Sequence, residues 1–311
     1  MQRKRQHIIP NCYLKSWCDP RVPPGQHPFI WRISKDGERK QRKSPDKSFR
    51  ENDRYTIKLP NGQRNLILEE TLGQIEDAFV RVLSRIRRRQ RLNQTDRAHL
   101  CLFAAAMMAR TRAMGAHWKN QLSEIHERVE TLERMHDAEP TMSHTTAKMV
   151  DHAEQWIVAE SLKIMTPLLF EMPMNILVTG DEFGFITSDD PCVMFNPKLH
   201  RFPPLYRSPG LGQRDVEISL PLTPNHLLLI SHREHAFYLD AVRKVVDEAN
   251  RLRRAYCTEE FVSWKGETRS CWFDLGKKPD DCWENSEEGK KALEERDEFL
   301  RAASKSEEKQ Q

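Results

Sequence analysis

Asn65–Arg91, "NLILEETLGQIEDAFVRVLSRIRRRQR", is where the hydrophobic period of the chain changes. Leu68, Leu72, Ile75, Phe79, Val82, Leu83 and Ile86 fall on one stripe at helical spacing, so a long amphipathic helix is expected here. Before this stretch the pattern is that of strands and tight turns. "HPFIWRISKDGERKQRKS" (His27–Ser44) reads as strand, Asp-Gly turn, strand, and "DRYTIKLPNGQRN" (Asp53–Asn65) repeats the theme around Asn61-Gly62.

Beyond it, helical patterning continues. "TDRAHLCLFAAAMMARTRAMGAHWKNQLSEIHERVETLERM" (Thr95–Met135) predicts one long helix capped by Thr95, buried in its first half and amphipathic in its second. "SHTTAKMVDHAEQWIVAESLKIM" (Ser143–Met165) predicts another, stopped by Thr166-Pro167. From Asn175 short apolar runs return: "NILVTG", "FGFITSDD", "CVMFNP", "VEISLPLT" and "HLLLISH", separated by Gly, Pro and Asp. "REHAFYLDAVRKVVDEANRLRRAYCTEEFV" (Arg233–Val262) predicts a last helix, with Val242, Val245, Val246, Ala249 and Leu252 along its stripe.

The order strands, helices, strands, helix lacks βα alternation. It implies an α+β fold: an antiparallel or mixed sheet built from N-terminal and C-terminal strands, packed with a mainly helical middle over residues 66–170. Residues 1–262 are expected to form a single domain, and 263–311 a charged, partly disordered extension.

Composition excludes several classes. No apolar run approaches the roughly 20 residues that span a bilayer, and the start "MQRKRQHIIPN" lacks a signal segment, so a cytoplasmic chain with no membrane partner is expected. Seven scattered cysteines without CxxC spacing read as reduced thiols. Neither HExxH nor a zinc spacing occurs, and P-loop, GxGxxG and GxSxG patterns are absent. A divalent metal is compatible with the carboxylates present but is not required by any motif. Oligomeric state is not legible.

Charge is divided unevenly. Residues 1–100 carry 23 Lys and Arg against 11 Asp and Glu, while the remaining 211 carry 27 against 35. A basic N-terminal third either offers a face to an anionic ligand or nucleic acid, or is attracted to the acidic remainder. The six Arg between Arg81 and Arg91 could bind phosphate, but with no interleaved aromatics and a place at one helix end they read first as a solvated terminus that complements the helix dipole.

Polar residues inside apolar contexts nominate a site. In "ITSDDPCVMFNP" (Ile186–Pro197) a strand runs into Ser188, Asp189 and Asp190, placed to accept hydrogen bonds, pair with Arg or bind a cation, or simply to form a turn. Arg110 lies in the apolar "CLFAAAMMARTRAM" and must find a partner such as Asp189 or Glu76, or else snorkel outward. Glu76 adjoins the stripe of its helix. Asn250 follows Ala249 and either faces inward or sits on the surface. His7 stands three residues before Pro10, between a basic arm and an apolar patch.

These segments add up to a resemblance. "HIIPNCYLKSW", "RYTI", "IEDAF", Arg110-Thr111, "FITSDDPCVMFNP", "LPLTPNHLLLIS" and "ANRLRRAYC" occur in this order, and over residues 5–262 the chain resembles the DUF4238 family. The resemblance implies that His7, Pro10, Leu14, Tyr55, Glu76, Arg110, Thr111, Ser188, Asp189, Pro191, Pro221, Leu222 and Asn250 occupy signature positions. Members often carry a Gln one turn before the signature Arg, where this chain reads "AAAMM". The family brings positions but no reaction.

Convergence of the polar signature residues in one cleft is the simplest account of them. The expected enzyme uses His7 as general acid/base, with Asp189 orienting it or holding a metal. Arg110 neutralises charge, Glu76 positions Arg110, and Asn250 and Ser188 assist. Phosphoester or nucleic-acid hydrolysis is the expected class. The alternative is a non-catalytic nucleic-acid- or protein-binding module whose polar residues are structural.

Overall fold

The computed structural model describes residues 5–296 except 24, 60, 275, 277 and 278. Strands come first: β1 (Arg5–His7), β2 (Ile30–Ser34), β3 (Lys40–Lys43), β4 (Arg50–Asn52), β5 (Ile57–Lys58) and β6 (Arg64–Asn65), with the one-turn helix α1 (Asn11–Leu14) after β1. The helical middle comprises α2 (Ile67–Arg87), α3 (Gln94–Ala109), α4 (Arg112–Met135), α5 (Thr141–Asp151) and α6 (Ala153–Glu171). Then follow β7 (Met174–Val178), β8 (Thr187–Ser188), β9 (Val193–Phe195), β10 (Glu217–Thr223), β11 (His226–Ser231), β12 (Tyr238–Asp240), α7 (Arg243–Tyr256) and β13 (Glu260–Ser263). The fold is α+β with a mainly helical middle. No helix among the described residues is long and apolar enough to cross a membrane.

The chain divides into two compact units, Met1–Val193 with Ile218–Asp274, and Met194–Glu217 with Leu275–Gln311. In the first, one sheet has the order β3-β2-β13-β8 and joins the two ends of the chain, with Phe261 opposite Ile33 and Ser188. A second sheet runs β12-β7-β11-β10, with β7 antiparallel to β11 and parallel to β12. Ile33, Ile186, Cys257, Phe261 and Trp272 form a buried cluster under the first sheet. Phe79 of α2 stacks on Phe103 of α3 with ring centroids 3.8 Å apart, locking the helical layer. In the second unit, Asp281 receives His200 and Arg201, and Arg207 pairs with Glu284, so the loop 194–217 is tied to the charged segment. Residues 287–296 of that segment are helical; the end of the expected extension, 297–311, lies outside the described residues.

Several elements differ from the expected ones. The long helix over Thr95–Met135 is two helices, broken at Arg110-Thr111. Arg110 has φ −90° and ψ 5°, and Thr111 starts α4 by accepting the Met114 N–H. Thr95 is not the cap: Asn93, two residues earlier, and Asp96 exchange backbone and side-chain bonds in a capping box, the Asn93 side chain reaching the amide three residues on. Pro167 lies inside α6 instead of ending it, and the expected helix divides at His152. The last expected helix is shortened at both ends, giving β12 and β13 to the two sheets. There the β-branched and aromatic ends of the run gain more from strand pairing than from a helical stripe.

The N-terminal arm is built into the first unit. β1 pairs with β4, and Gln6 bridges to Thr56 and to the Tyr55 amide. One turn later the buried Tyr13 places its hydroxyl 2.6 Å from Thr187 Oγ1 and donates to the Pro221 carbonyl. Trp17 donates its indole N–H to the Phe185 carbonyl at 2.9 Å. These three side chains fix where His7 lies.

Candidate functional site

Arg110 sits at the α3–α4 break, 3% exposed, and cannot shed its charge. Its guanidinium donates to Glu76 Oε1 at 2.9 Å, to the His7 carbonyl at 2.5 Å and to the Tyr55 hydroxyl at 3.4 Å. Burial alone would lower its pKa, but Tyr55 and Glu76 more than reverse this and hold it above the ordinary Arg value. The guanidinium thus ties the N-terminal arm, α2 and α3 together.

A cavity of about 440 Å³ opens beside this junction, lined by His7, Asn11, Cys12 and Lys15 of the arm, Glu69, Glu70, Leu72, Gly73 and Glu76 of α2, and Arg110. His7 Nε2 lies 3.2 Å from the Asp46 carbonyl. A carbonyl only accepts, so in the neutral ring Nε2 carries the proton and Nδ1 is the bare nitrogen, with no partner among the described residues. Burial lowers the His7 pKa from 6.5; the Asp46 carbonyl and Glu76 oppose this, while Arg110 and Arg50 add to it. The ring is therefore neutral at pH 7 and able to take a proton.

Cys12 points its thiol at Glu76 Oε2, 3.9 Å away. Burial, reinforced by the Glu76 carboxylate, pushes its pKa up to about 12, so it rests as a protonated thiol. Asn11 Oδ1 is buried with no hydrogen-bond partner, an acceptor left over in the cavity wall. Lys15 is exposed and makes no ion pair among the described residues. Three carboxylates against two cations give the lining a slight negative excess.

The structure thus brings His7, Glu76 and Arg110 together and leaves Asp189, Ser188 and Asn250 outside the lining of this cavity. The carboxylate of Asp189 accepts the amides of Thr258, Glu259 and Glu260, closing the turn between α7 and β13. Ser188 Oγ bonds the amide and carbonyl of Asp190 in a local turn. Asn250 accepts from the Ile186 amide and donates to the Gly184 carbonyl, bracing the strand that precedes Ser188. Arg110 meets the expected Glu76, not Asp189. Among the described residues, no group of three or more His, Cys, Asp or Glu is placed to hold a metal ion.

Asn11, Cys12, Lys15, Glu69 and Glu70 were not singled out by sequence reasoning. The spacing of Glu69 and Glu76, seven apart on a helix, carries the signal that they share a face. Asn11, Cys12 and Lys15 follow His7 closely, yet nothing in their spacing reveals the one-turn helix that presents them.

The family model described as "Protein of unknown function (DUF4238)" matches residues 5–265 of the chain. No curated protein and no solved structure matches it.

Proposed function

The chain belongs to the DUF4238 family, and from that premise we propose that it is a hydrolytic enzyme whose general base is His7. The observation carrying this reading is the ring's anchorage: Nε2 is committed to the Asp46 carbonyl, which leaves a basic Nδ1 at a cavity of about 440 Å³. In the proposed step Nδ1 takes a proton from water as its oxygen adds to the acyl carbon, and returns that proton to the departing alkoxide or amine as the C–O or C–N bond breaks. Lys15 is the cation available to offset the developing charge, and Asn11 Oδ1 accepts a donor from the substrate. Glu76 and Arg110 act as positioning residues, since each guanidinium nitrogen of Arg110 already donates to a protein group and one of them holds the His7 main chain.

The lining narrows the substrate. Three carboxylates, Glu69, Glu70 and Glu76, line the cavity and Arg110 is paired with Glu76, so a small neutral ester or amide suits it better than a phosphate dianion. A panel of neutral esters, amides and phosphodiesters, assayed with the wild type and His7→Gln, tests both parts. Gln retains an N–H for the Asp46 carbonyl, so the melting temperature should hold while hydrolysis falls about 100-fold or more. Hydrolysis that His7→Gln leaves unchanged would refute the role. The rising limb of kcat/KM against pH should have its midpoint below 6.5, because the His7 pKa is lowered.

A binding module is the second reading, favoured by the commitment of each Arg110 guanidinium nitrogen to a group of the protein itself. Its mark is salt-sensitive nucleic-acid or protein binding that survives His7→Gln.

A further inference from the structure

The Arg run at the end of α2 supplies a second site, in a different cavity. Of its six guanidiniums, Arg85 pairs with Asp96 and Arg89 with Asp240, each at 2.7 Å. Arg87 has no carboxylate among the described residues; it makes a single bond, to Ser16 Oγ at 3.1 Å. It lines a cavity of about 430 Å³ together with Ser16, Cys18, Asp181, Asn225, His226 and Trp264.

We propose that this cavity binds a small tetrahedral oxyanion, a phosphate or sulfate group either bare or carried on a small ester, through Arg87, His226 and Ser16. Three features support the assignment. First, burial draws the Arg87 pKa down and nothing negative offsets it, which leaves an uncompensated cation. Second, His226 is 9% exposed, its Nδ1 lies 2.9 Å from Thr223 Oγ1, and its Nε2 has no partner among the described residues. Third, the single carboxylate of the lining is already engaged: Asp181 accepts from Arg269, which it shares with Asp247, and from the amides of Phe183 and Gly184. Guanidinium, imidazole and hydroxyl offer donors to separate oxygens of one anion. Trp264 adds an apolar wall that leaves room for a small organic substituent.

Binding is coupled to protonation. Burial, then Arg87 and Arg89, press the His226 pKa down to about 4. The other titratable groups of the lining are the Cys18 thiol and Asp181, whose carboxylate is held by Arg269 and two backbone amides. An oxyanion seated between Arg87 and His226 replaces their repulsion with attraction, so it raises the His226 pKa, and acid in turn tightens the anion.

Titration calorimetry with sodium sulfate, whose charge is constant over this range, tests this on the full chain. The affinity should rise on the order of tenfold between about pH 7.5 and about pH 5. Arg87→Met should weaken binding at both values, and His226→Gln should bind at the higher pH without the gain in acid. Circular dichroism confirms that each variant is folded. Phenyl phosphate binding more tightly than inorganic phosphate assigns an ester as ligand; equal binding assigns the bare anion. Sulfate that fails to bind at the lower pH, or that binds Arg87→Met as it binds the wild type, overturns the proposal.

Discussion

Asp189 accepts three consecutive backbone amides, and this decides how a change there is felt. Asp189→Ala strands Thr258, Glu259 and Glu260 without an acceptor and should cost about 2–4 kcal/mol, read by urea unfolding. The folded fraction should keep its full turnover; normal stability with lost turnover would return Asp189 to the chemistry. Asp190, its neighbour, behaves differently. Burial pushes its pKa up to about 6, against the pull of Arg253 and with the push of Asp189. The folded chain therefore holds a proton that the unfolded chain releases, so stability falls as pH rises from about 4 to about 6. Asp190→Asn should flatten that fall and add about 1–3 kcal/mol above it, and a slope unchanged by the substitution would contradict the assignment. Among the polar signature residues, the sequence marks which are needed without saying for what. His7, Glu76 and Arg110 meet at one cavity, while Ser188, Asp189 and Asn250 satisfy main-chain groups. A carboxylate or amide that holds a loop leaves the same trace as one that holds a ligand.

At the scale of elements, the α2 stripe is legible because amphipathic helices bury their apolar faces, and Leu72, Ile75, Phe79, Val82, Leu83 and Ile86 are all buried. The break at Arg110-Thr111 is not, since periodicity runs through it. It exists because Arg110 is drawn to Glu76 and the His7 carbonyl, partners distant in sequence. The ends of helices are decided by caps a residue or two apart, and here Asn93 competes successfully with Thr95, two positions on. Asn93→Ala should lower stability by about 1 kcal/mol, whereas Thr95→Ala should leave it nearly unchanged; the reverse order in thermal melts would contradict the capping box. Pro167 escapes its usual role as a terminator, and nothing in its neighbours announces that.

Across the whole molecule, part of the uneven charge of the sequence is met by ion pairs between early and late segments. Arg32 and Arg39 both meet Glu260, and Arg89 meets Asp240. The same closure appears in β2 pairing with β13 and in Tyr13 and Trp17 reaching Thr187, Pro221 and Phe185. Because the arm fills the core, deleting residues 1–17 removes more than the roughly 5–15 kcal/mol of net stability a domain holds. Such a chain should show no cooperative melt, and a native-like transition would mean the arm is dispensable. The same arm holds the His7 imidazole with Nε2 on the Asp46 carbonyl and Nδ1 bare in the neutral ring. The direct measurement is the long-range proton–nitrogen NMR spectrum of the imidazoles across pH, with His7 assigned by its loss in His7→Gln. A ring protonated on Nε2 when neutral, titrating below 6.5, is the predicted result; a ring protonated on Nδ1, or one titrating above that value, would contradict it.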